Sequence, residues 1–391
     1  MTASGTVLAC PACDGHSIRS LLCLPDVVVH PNVPCRTRAE ALAADRAELR
    51  LVQCETCGHV FNSAFDDRLL AYDARYESAL DFSPRFREFA EALVSDLVSR
   101  AELRGRTVVE IGCGRGEFLD ALCTRAGARG LGFDPGVGNG ASASGSVTLV
   151  RTRYPEARIP VDTALVVCRH VLEHLGDPMS LIATLRSRLG PESAASLYME
   201  VPNALATLDE LAVWDLVYEH VSYYNAYSLA RLVARGGFSV DAVVAAYGNQ
   251  FLCLHGRAAA TASDAPASAE EARDAALRHG SSFADRFRDK VAGWRMELER
   301  RSAAGERLVV WGAGSKGVMF LGWLGERIDH AVDLNPRKHG RYVAGSGQEI
   351  LAPEHLRDLA PDVILVMNAV YRDEIAATIE QLGIKAQLAC V

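Results

Sequence analysis

The sequence predicts an α/β protein. Its central unit is a doubly wound, mostly parallel sheet, preceded by a small cysteine-bearing module and followed by a second, smaller α/β unit. Three observations carry this reading. From about residue 107, short apolar runs (TVVEIG, ARGLGFD, TALVVCRHV, SLYMEVPN) alternate with helical stretches such as GEFLDALCTRAG. A second strand–glycine–helix unit opens at RLVVWGAGSKG and continues through IDHAVDLN and PDVILVMNAV. Two CxxC pairs fall within the first 65 residues.

The length of 391 residues suits two to three domains at about 150 residues each. Apolar residues make up 49% and charged residues 23%, ordinary globular values that exclude collagen, coiled coil and wholesale disorder. The net charge of -8 speaks against a dedicated nucleic-acid binder. No run reaches the ~18 to 20 apolar residues of a membrane span, so no membrane partner is expected. Met1 to Leu8 lacks a basic region and an apolar stretch, so no secretory signal is expected there. Eleven cysteines, odd in number and scattered outside the two pairs, fit a reducing, cytoplasmic setting.

Taken along the chain, residues 1–65 read as a zinc-binding module of short strands and turns. Residues 66–257 read as the core with leading helices over 66–104, closed by the strand pair FSVDAVVAAYG and QFLCLHGRA. Residues 258–303 read as an Ala- and Ser-rich linker running into a charged helix, and 304–391 as a Rossmann-like unit.

The knuckles Cys10-Pro-Ala-Cys13 and Cys54-Glu-Thr-Cys57 let two sulfurs each meet one ion from a tight turn. Four thiolates make a closed tetrahedral zinc site, structural because no ligand position stays open. Two unrelated reduced pairs are the alternative, and the forty residues between the pairs exceed the gap of a compact zinc ribbon.

The central motif is Glu110-Ile-Gly112-Cys-Gly114-Arg-Gly116, after a strand and before a helix. Glycines there permit a tight turn and close approach to a ligand. Asp134 follows at the next strand end, 22 residues past Gly112, placed to accept ribose hydroxyls. With CRHVLEHL and VPN downstream, the set resembles a class I S-adenosylmethionine methyltransferase rather than a dinucleotide fold, whose G-x-G-x-x-G spacing is absent here. That spacing does occur at Gly312-Ala-Gly314-Ser-Lys-Gly317, with Asp333 21 residues on. Alone it suggests NAD; the bland reading is strand–helix packing. Lys338 and Arg341 follow, either to meet phosphate or as a solvated loop.

The segment WDLVYEHVSYY is dense in polar and aromatic groups and follows the VPN strand end, where ligands sit in open α/β sheets. Its Glu219-His220 pair suits proton abstraction; a satisfied pair at a buried helix start is the alternative. His174, in VLEHL, is a weaker candidate.

The order of these parts resembles, nearly end to end, the three-domain sugar C-methyltransferases of deoxysugar biosynthesis. The knuckles and the C-terminal string VDLNPRKHGRYVAGSGQEIL are its specific elements. The resemblance implies a zinc-binding N-terminal domain, a central S-adenosylmethionine domain, and a C-terminal Rossmann-like domain that contacts a nucleotide-linked keto sugar without nicotinamide. By position it implies catalytic roles for Tyr76, His174, Glu219 and His220. The family commonly carries Tyr-His-Glu-His, with a catalytic tyrosine two before the glutamate. Here that position is Val217, and Tyr218 stands next to Glu219 as the candidate substitute. The expected chemistry is enolate formation by His220, oriented by Glu219, with His174 and a tyrosine on the enolate oxygen. Oxygen or nitrogen methylation, and a non-catalytic binding protein, are the alternatives.

Overall fold

The computed structural model describes residues 8–70, 75–77, 79–142, 144–154, 159–259 and 267–391. Most of the N-terminal stretch read for a signal (1–7) and part of the expected linker (260–266) lie outside the described residues. Among the described residues, no helix is long and apolar enough to cross a membrane.

The central sheet has eight strands. Across it run Phe238–Ala246, Phe251–Ala258, Ser196–Pro202, Thr163–Arg169, Thr107–Ile111, Arg129–Phe133, Val147–Val150 and Gly140–Ala141. The middle five are parallel, and Phe251–Ala258 enters antiparallel between Phe238–Ala246 and Ser196–Pro202. This is the class I methyltransferase sheet. Its central strands are buried and mostly apolar because helices cover both faces. Leu93, Val94 and Leu97 of Pro84–Arg100 and Leu119 and Leu122 of Glu117–Ala126 pack on one side. Leu181 and Leu185 of Pro178–Leu189, with Leu229 and Leu232 of Ala226–Arg235, pack on the other.

The leading helical region is shorter than expected. Pro84–Arg100 starts where Ser83 accepts from the Phe86 N–H and proline fills the first turn. Before it, the only helical turn among the described residues of 66–83 is Asp67–Leu69.

The N-terminal sheet is antiparallel: Ile18–Val28, Arg46–Cys54, Val60–Asn62 and Ser222–Tyr223. Its last strand comes from the segment directly after Glu219-His220, far away in sequence. The helix expected after the linker within 258–303 is two helices, Glu270–Gly280 and Phe283–Ala303. They pack on the N-terminal sheet: Gln53 Nε2 donates to the Ala276 carbonyl at 2.9 Å, and Phe283 and Phe287 share a core with Leu49 and Leu51.

The C-terminal sheet runs Arg341–Tyr342, Glu349–Leu351, His330–Val332, Leu308–Trp311, Val363–Val366 and Gln387–Cys390, parallel except at Arg341–Tyr342. In both large sheets the strand order reverses beside the strand that feeds a glycine loop. In open α/β sheets, ligands collect at such switch points. Here the two points face one another.

Candidate active site

One cleft of about 1600 Å³ takes in both glycine loops, Asp134, the His170–Leu175 segment, His220, Tyr76 and the C-terminal strand ends at Asp333 and Asn368.

At its floor, Gly114 has a left-handed φ of +52°, and nothing lies within 4 Å of where its Cβ would stand. A side chain there would be strained and would fill the space a ligand enters. Asp134 braces this loop, its Oδ2 accepting from the Gly114 N–H at 3.0 Å and its Oδ1 from the Gly136 N–H at 2.7 Å. Gly112 and Gly116 also take left-handed φ, at +70° and +83°. Glu110, on Thr107–Ile111, is buried, and its Oε2 has no hydrogen-bond partner. Burial pushes its carboxyl up to about 8.

Glu173, His174 and His220 converge, each offering a ligand atom within 4.8 Å of the others. His174 Nδ1 lies 2.9 Å from the Glu219 carbonyl oxygen, which can only accept, so Nδ1 carries the proton. Its Nε2 then donates only when the ring is doubly protonated. His220 meets His174 edge to face, ring centres 5.1 Å apart. Burial, then the neighbouring His174, push the His220 imidazole down to about 4, so it is neutral at pH 7.

The Glu219 carboxylate does not turn to His220, as the sequence reading expected. It is fully buried and accepts from Tyr76 Oη at 3.2 Å and from Asn32 Nδ2 at 3.3 Å. Glu173 is the carboxylate in the histidine cluster. Tyr218 is likewise no substitute for the missing phenol. It is fully buried, its oxygen accepts from the Asp66 N–H at 2.9 Å, and it is absent from the cleft wall. Val217 and Tyr218 both pack into the same apolar core, and neither lines the cleft.

Sequence reasoning missed the groups that support this wall. Glu200, on Ser196–Pro202, is fully buried and pairs with Arg169 at 3.0 Å and with His170 Nε2 at 2.9 Å, while accepting from Tyr198 Oη at 2.7 Å. His170 holds a left-handed φ of +53° and also meets Glu173 at 3.3 Å. Burial opposes its charge, but Glu173 and Glu200 outweigh that and raise it to about 9. The available signal was the acid between the two histidines in HVLEH; Glu200, on another strand, left none.

In the C-terminal loop, a Cβ on Gly317 would stand 1.8 Å from the Gly312 carbonyl oxygen, so this glycine serves strand–helix packing. Asp333 accepts from the Ala313 N–H at 2.9 Å and pairs with Lys338 at 3.1 Å. Lys338 is buried rather than solvated. Arg341, by contrast, is half-buried in the edge strand and does not line the cleft.

At the N-terminal knuckles, Cys10, Cys13, Cys54 and Cys57 bring their sulfurs within 4.8 Å of one another. Cys10–Cys57 and Cys13–Cys54 are 3.7 and 3.6 Å apart. The edge of a tetrahedron with metal–sulfur bonds of about 2.3 Å is about 3.8 Å. All four thiols are unbridged, and their spacing fits one metal ion.

Comparison with known families places these features. Residues 86–243 match a methyltransferase domain, and residues 253–386 match a C-methyltransferase C-terminal domain. The chain carries a SAM-dependent methyltransferase domain. Solved structures similar to it include N,N-8-amino-8-demethyl-D-riboflavin dimethyltransferase from Streptomyces davawensis, at 23% identity and a TM-score of 0.35 over 44% of this chain. That match takes in 56% of the dimethyltransferase, little more than half its length. An S-adenosylmethionine-dependent methyltransferase from Mesorhizobium loti matches at 18% identity and a TM-score of 0.33, over 43% of this chain and 97% of its own. Magnesium protoporphyrin IX methyltransferase from Synechocystis PCC 6803, with bound SAH, matches at 18% and 0.34, over 45% and 84%. No curated protein matches the chain.

The methyltransferase domain's floor fits its cofactor. Glu110 lines the floor with Oε2 unpartnered, Gly114 leaves open space above the loop, and Asp134 presents a carboxylate at the strand end. Gly112 and Gly114 would cradle the ligand, with Glu110 and Asp134 as its polar anchors; Gly116, packed against Leu149, shapes the turn behind them.

Proposed function

We propose that the protein methylates a carbon of a nucleotide-linked keto-deoxysugar through an enolate. The observation that carries this is His220, neutral and beside Glu173, on the wall between the methyltransferase floor and the C-terminal glycine loop. S-adenosylmethionine, held at Glu110, Gly112, Gly114 and Asp134, supplies an electrophilic methyl group. His220 takes the proton from the carbon beside the acceptor's ketone, and Glu173 stabilises the imidazolium that forms. His174, in the same cluster, stabilises the enolate oxygen when its Nε2 carries a proton. The cleft between the two glycine loops holds both reactants in line, and such positioning contributes much of the rate in a two-substrate transfer.

The match of residues 253–386 to a C-methyltransferase C-terminal domain supports carbon as the target. Val217, fully buried where the resembling family has a tyrosine, favours a second reading: oxygen or nitrogen methylation on a sugar or small scaffold, which needs a base but no enolate stabiliser. A non-catalytic binder is the third. The division into a zinc module (1–65), core (66–257), linker and helix (258–303) and substrate-contacting unit (304–391) belongs to the same proposal, with structural Zn2+ on the four cysteines and a cytoplasmic setting.

The test incubates the protein in deuterated buffer with nucleotide-linked keto sugars, with the demethylated donor product or labelled S-adenosylmethionine. Carbon methylation gives carbon-bound deuterium without donor and a carbon-linked methyl with it. A methyl on oxygen or nitrogen, without deuterium in the acceptor, selects the second reading. Cofactor binding with no product from any acceptor selects the third.

A further inference from the structure

The Glu219 carboxylate is sealed from solvent, yet it is approached from the N-terminal third of the chain. Asn32 Nδ2 donates to its Oε2 at 3.3 Å, and Tyr76 Oη donates to the same oxygen at 3.2 Å. Asn32 Nδ2 also lies 3.4 Å from Tyr76 Oη, so one amide holds the phenol and the carboxylate together. On the other side, His30 Nδ1 stands 3.7 Å from Oε1, at ion-pair distance. Neither of those two atoms has a hydrogen-bond partner, so each is the other's counterpart. Asn32 is fixed in turn by its carbonyl, which accepts from the Glu77 N–H at 2.8 Å. Asn32 and Tyr76 line the cleft, whereas His30 and Glu219 lie behind them.

A buried carboxylate is tolerated only where donors or a counter-charge satisfy it. Glu219 has both, and they come from the module that carries the cysteine knuckles. With its proton turned to Glu219, Tyr76 Oη meets other groups as an acceptor, as it does Asn32 Nδ2. A phenol stabilising an enolate oxygen would have to donate instead.

We propose that His30 and Asn32 are positioning residues of the methyl-transfer site, acting through Glu219 to hold the Tyr76 phenol with its proton turned inward and its oxygen toward the acceptor. For its chemistry this rests on the proposed function; the side-chain chain itself does not. The group Tyr76 receives is then a donor, such as a hydroxyl of the acceptor.

Two measurements test it. The first needs no acceptor: histidine side-chain NMR on the zinc-loaded full chain, titrated with pH. Facing His30 are Glu219, Asp45 and the Leu69 carbonyl, with Glu219 foremost in raising its pKa. The isosteric Glu219→Gln lowers the His30 pKa. A His30 pKa that does not move in Glu219→Gln overturns the chain, whatever the protein methylates. The second is a double-mutant cycle on the acceptor turned over best. Asn32→Leu lowers kcat tenfold or more and leaves the Kd for S-adenosylmethionine within twofold. Combined with Tyr76→Phe, it is no slower than the worse single variant. Losses that multiply show that Asn32 acts apart from Tyr76 and overturn the assignment. Should Asn32→Leu fail to fold, His30→Gln replaces it in the cycle with the same two outcomes. Absence of turnover from every acceptor counts against the proposed function, and the titration still decides the chain.

Discussion

Lys338 sits 3.1 Å from Asp333 beside the C-terminal glycine loop, and the two side chains are only 7% and 13% exposed. In a dinucleotide fold, the acid at that strand end is left for a ribose. Here it is already paired with an ammonium group, whose nitrogen also donates to the Ala313 carbonyl at 3.2 Å. A G-x-G-x-x-G spacing can therefore be kept for packing, as Gly317 is, while the ligand position is filled from within the chain.

Titration with NADH should accordingly give no fluorescence change at micromolar concentrations. Lys338→Met, which frees Asp333, should destabilise the C-terminal unit by leaving a largely buried carboxylate short of its counter-charge. Micromolar NADH binding by the unaltered protein would refute this reading and revive an oxidoreductase role.

His220→Asn should lower methyl transfer by ~100- to 10,000-fold, because a general base contributes that much, while cofactor affinity stays nearly unchanged. With the folded imidazole pushed down to about 4, the basic form persists to that pH. The acid limb of kcat/KM should thus fall near pH 4. A limb near the free-histidine value would place the base elsewhere. Glu173→Gln should slow the same step more than Glu219→Gln does through His220, since Glu173 is the carboxylate in the cluster.

Asp134→Ala should weaken S-adenosylmethionine binding by roughly 1.5 to 3 kcal/mol, the range of a charge-assisted hydrogen bond. It also releases the N–H groups of Gly114 and Gly136. Calorimetry reads the affinity directly, and an unchanged Kd would remove Asp134 from the cofactor site.

Metal analysis of reduced protein should find about one zinc per chain, lost in Cys54→Ser. Because Ser222–Tyr223 pairs with Val60–Asn62, just beyond the second knuckle, zinc loss should lower activity along with thermal stability. Stripped protein with full activity would mean that the knuckles do not support the His220 segment.

His170 gives a stability signature. Its folded value is raised to about 9 from an ordinary 6.5, so its contribution is complete below pH 6.5 and is lost as pH rises through about 9. Melting temperatures should fall across that window, and His170→Gln should flatten the slope. An equal slope in the variant would assign it to another group.

The parts that short-range chemistry controls were legible in the chain. Strand–glycine–helix units announce themselves because apolar runs and left-handed turns are local demands, and Glu110, Gly112, Gly114 and Asp134 line one floor, while Gly116 packs against Leu149. The two CxxC pairs likewise meet across forty intervening residues, since each knuckle is a self-contained turn. The helix over 66–104 was overdrawn: apolar spacing continued upstream, but Ser83 and Pro84 set the start. What long-range packing decides could not be read. Glu219 and His220 are adjacent in sequence, yet the backbone turn sends one carboxylate to Asn32 and Tyr76 and the other side chain to Glu173 and His174. Tyr218 looked available only because sequence proximity does not reveal which side of a turn a ring occupies. Lys338 and Glu200 acquire their roles from partners on other strands or beyond a turn, and such pairings leave no periodic trace. Local backbone preferences are written residue by residue, whereas the direction of a buried charge is set by whichever distant group satisfies it.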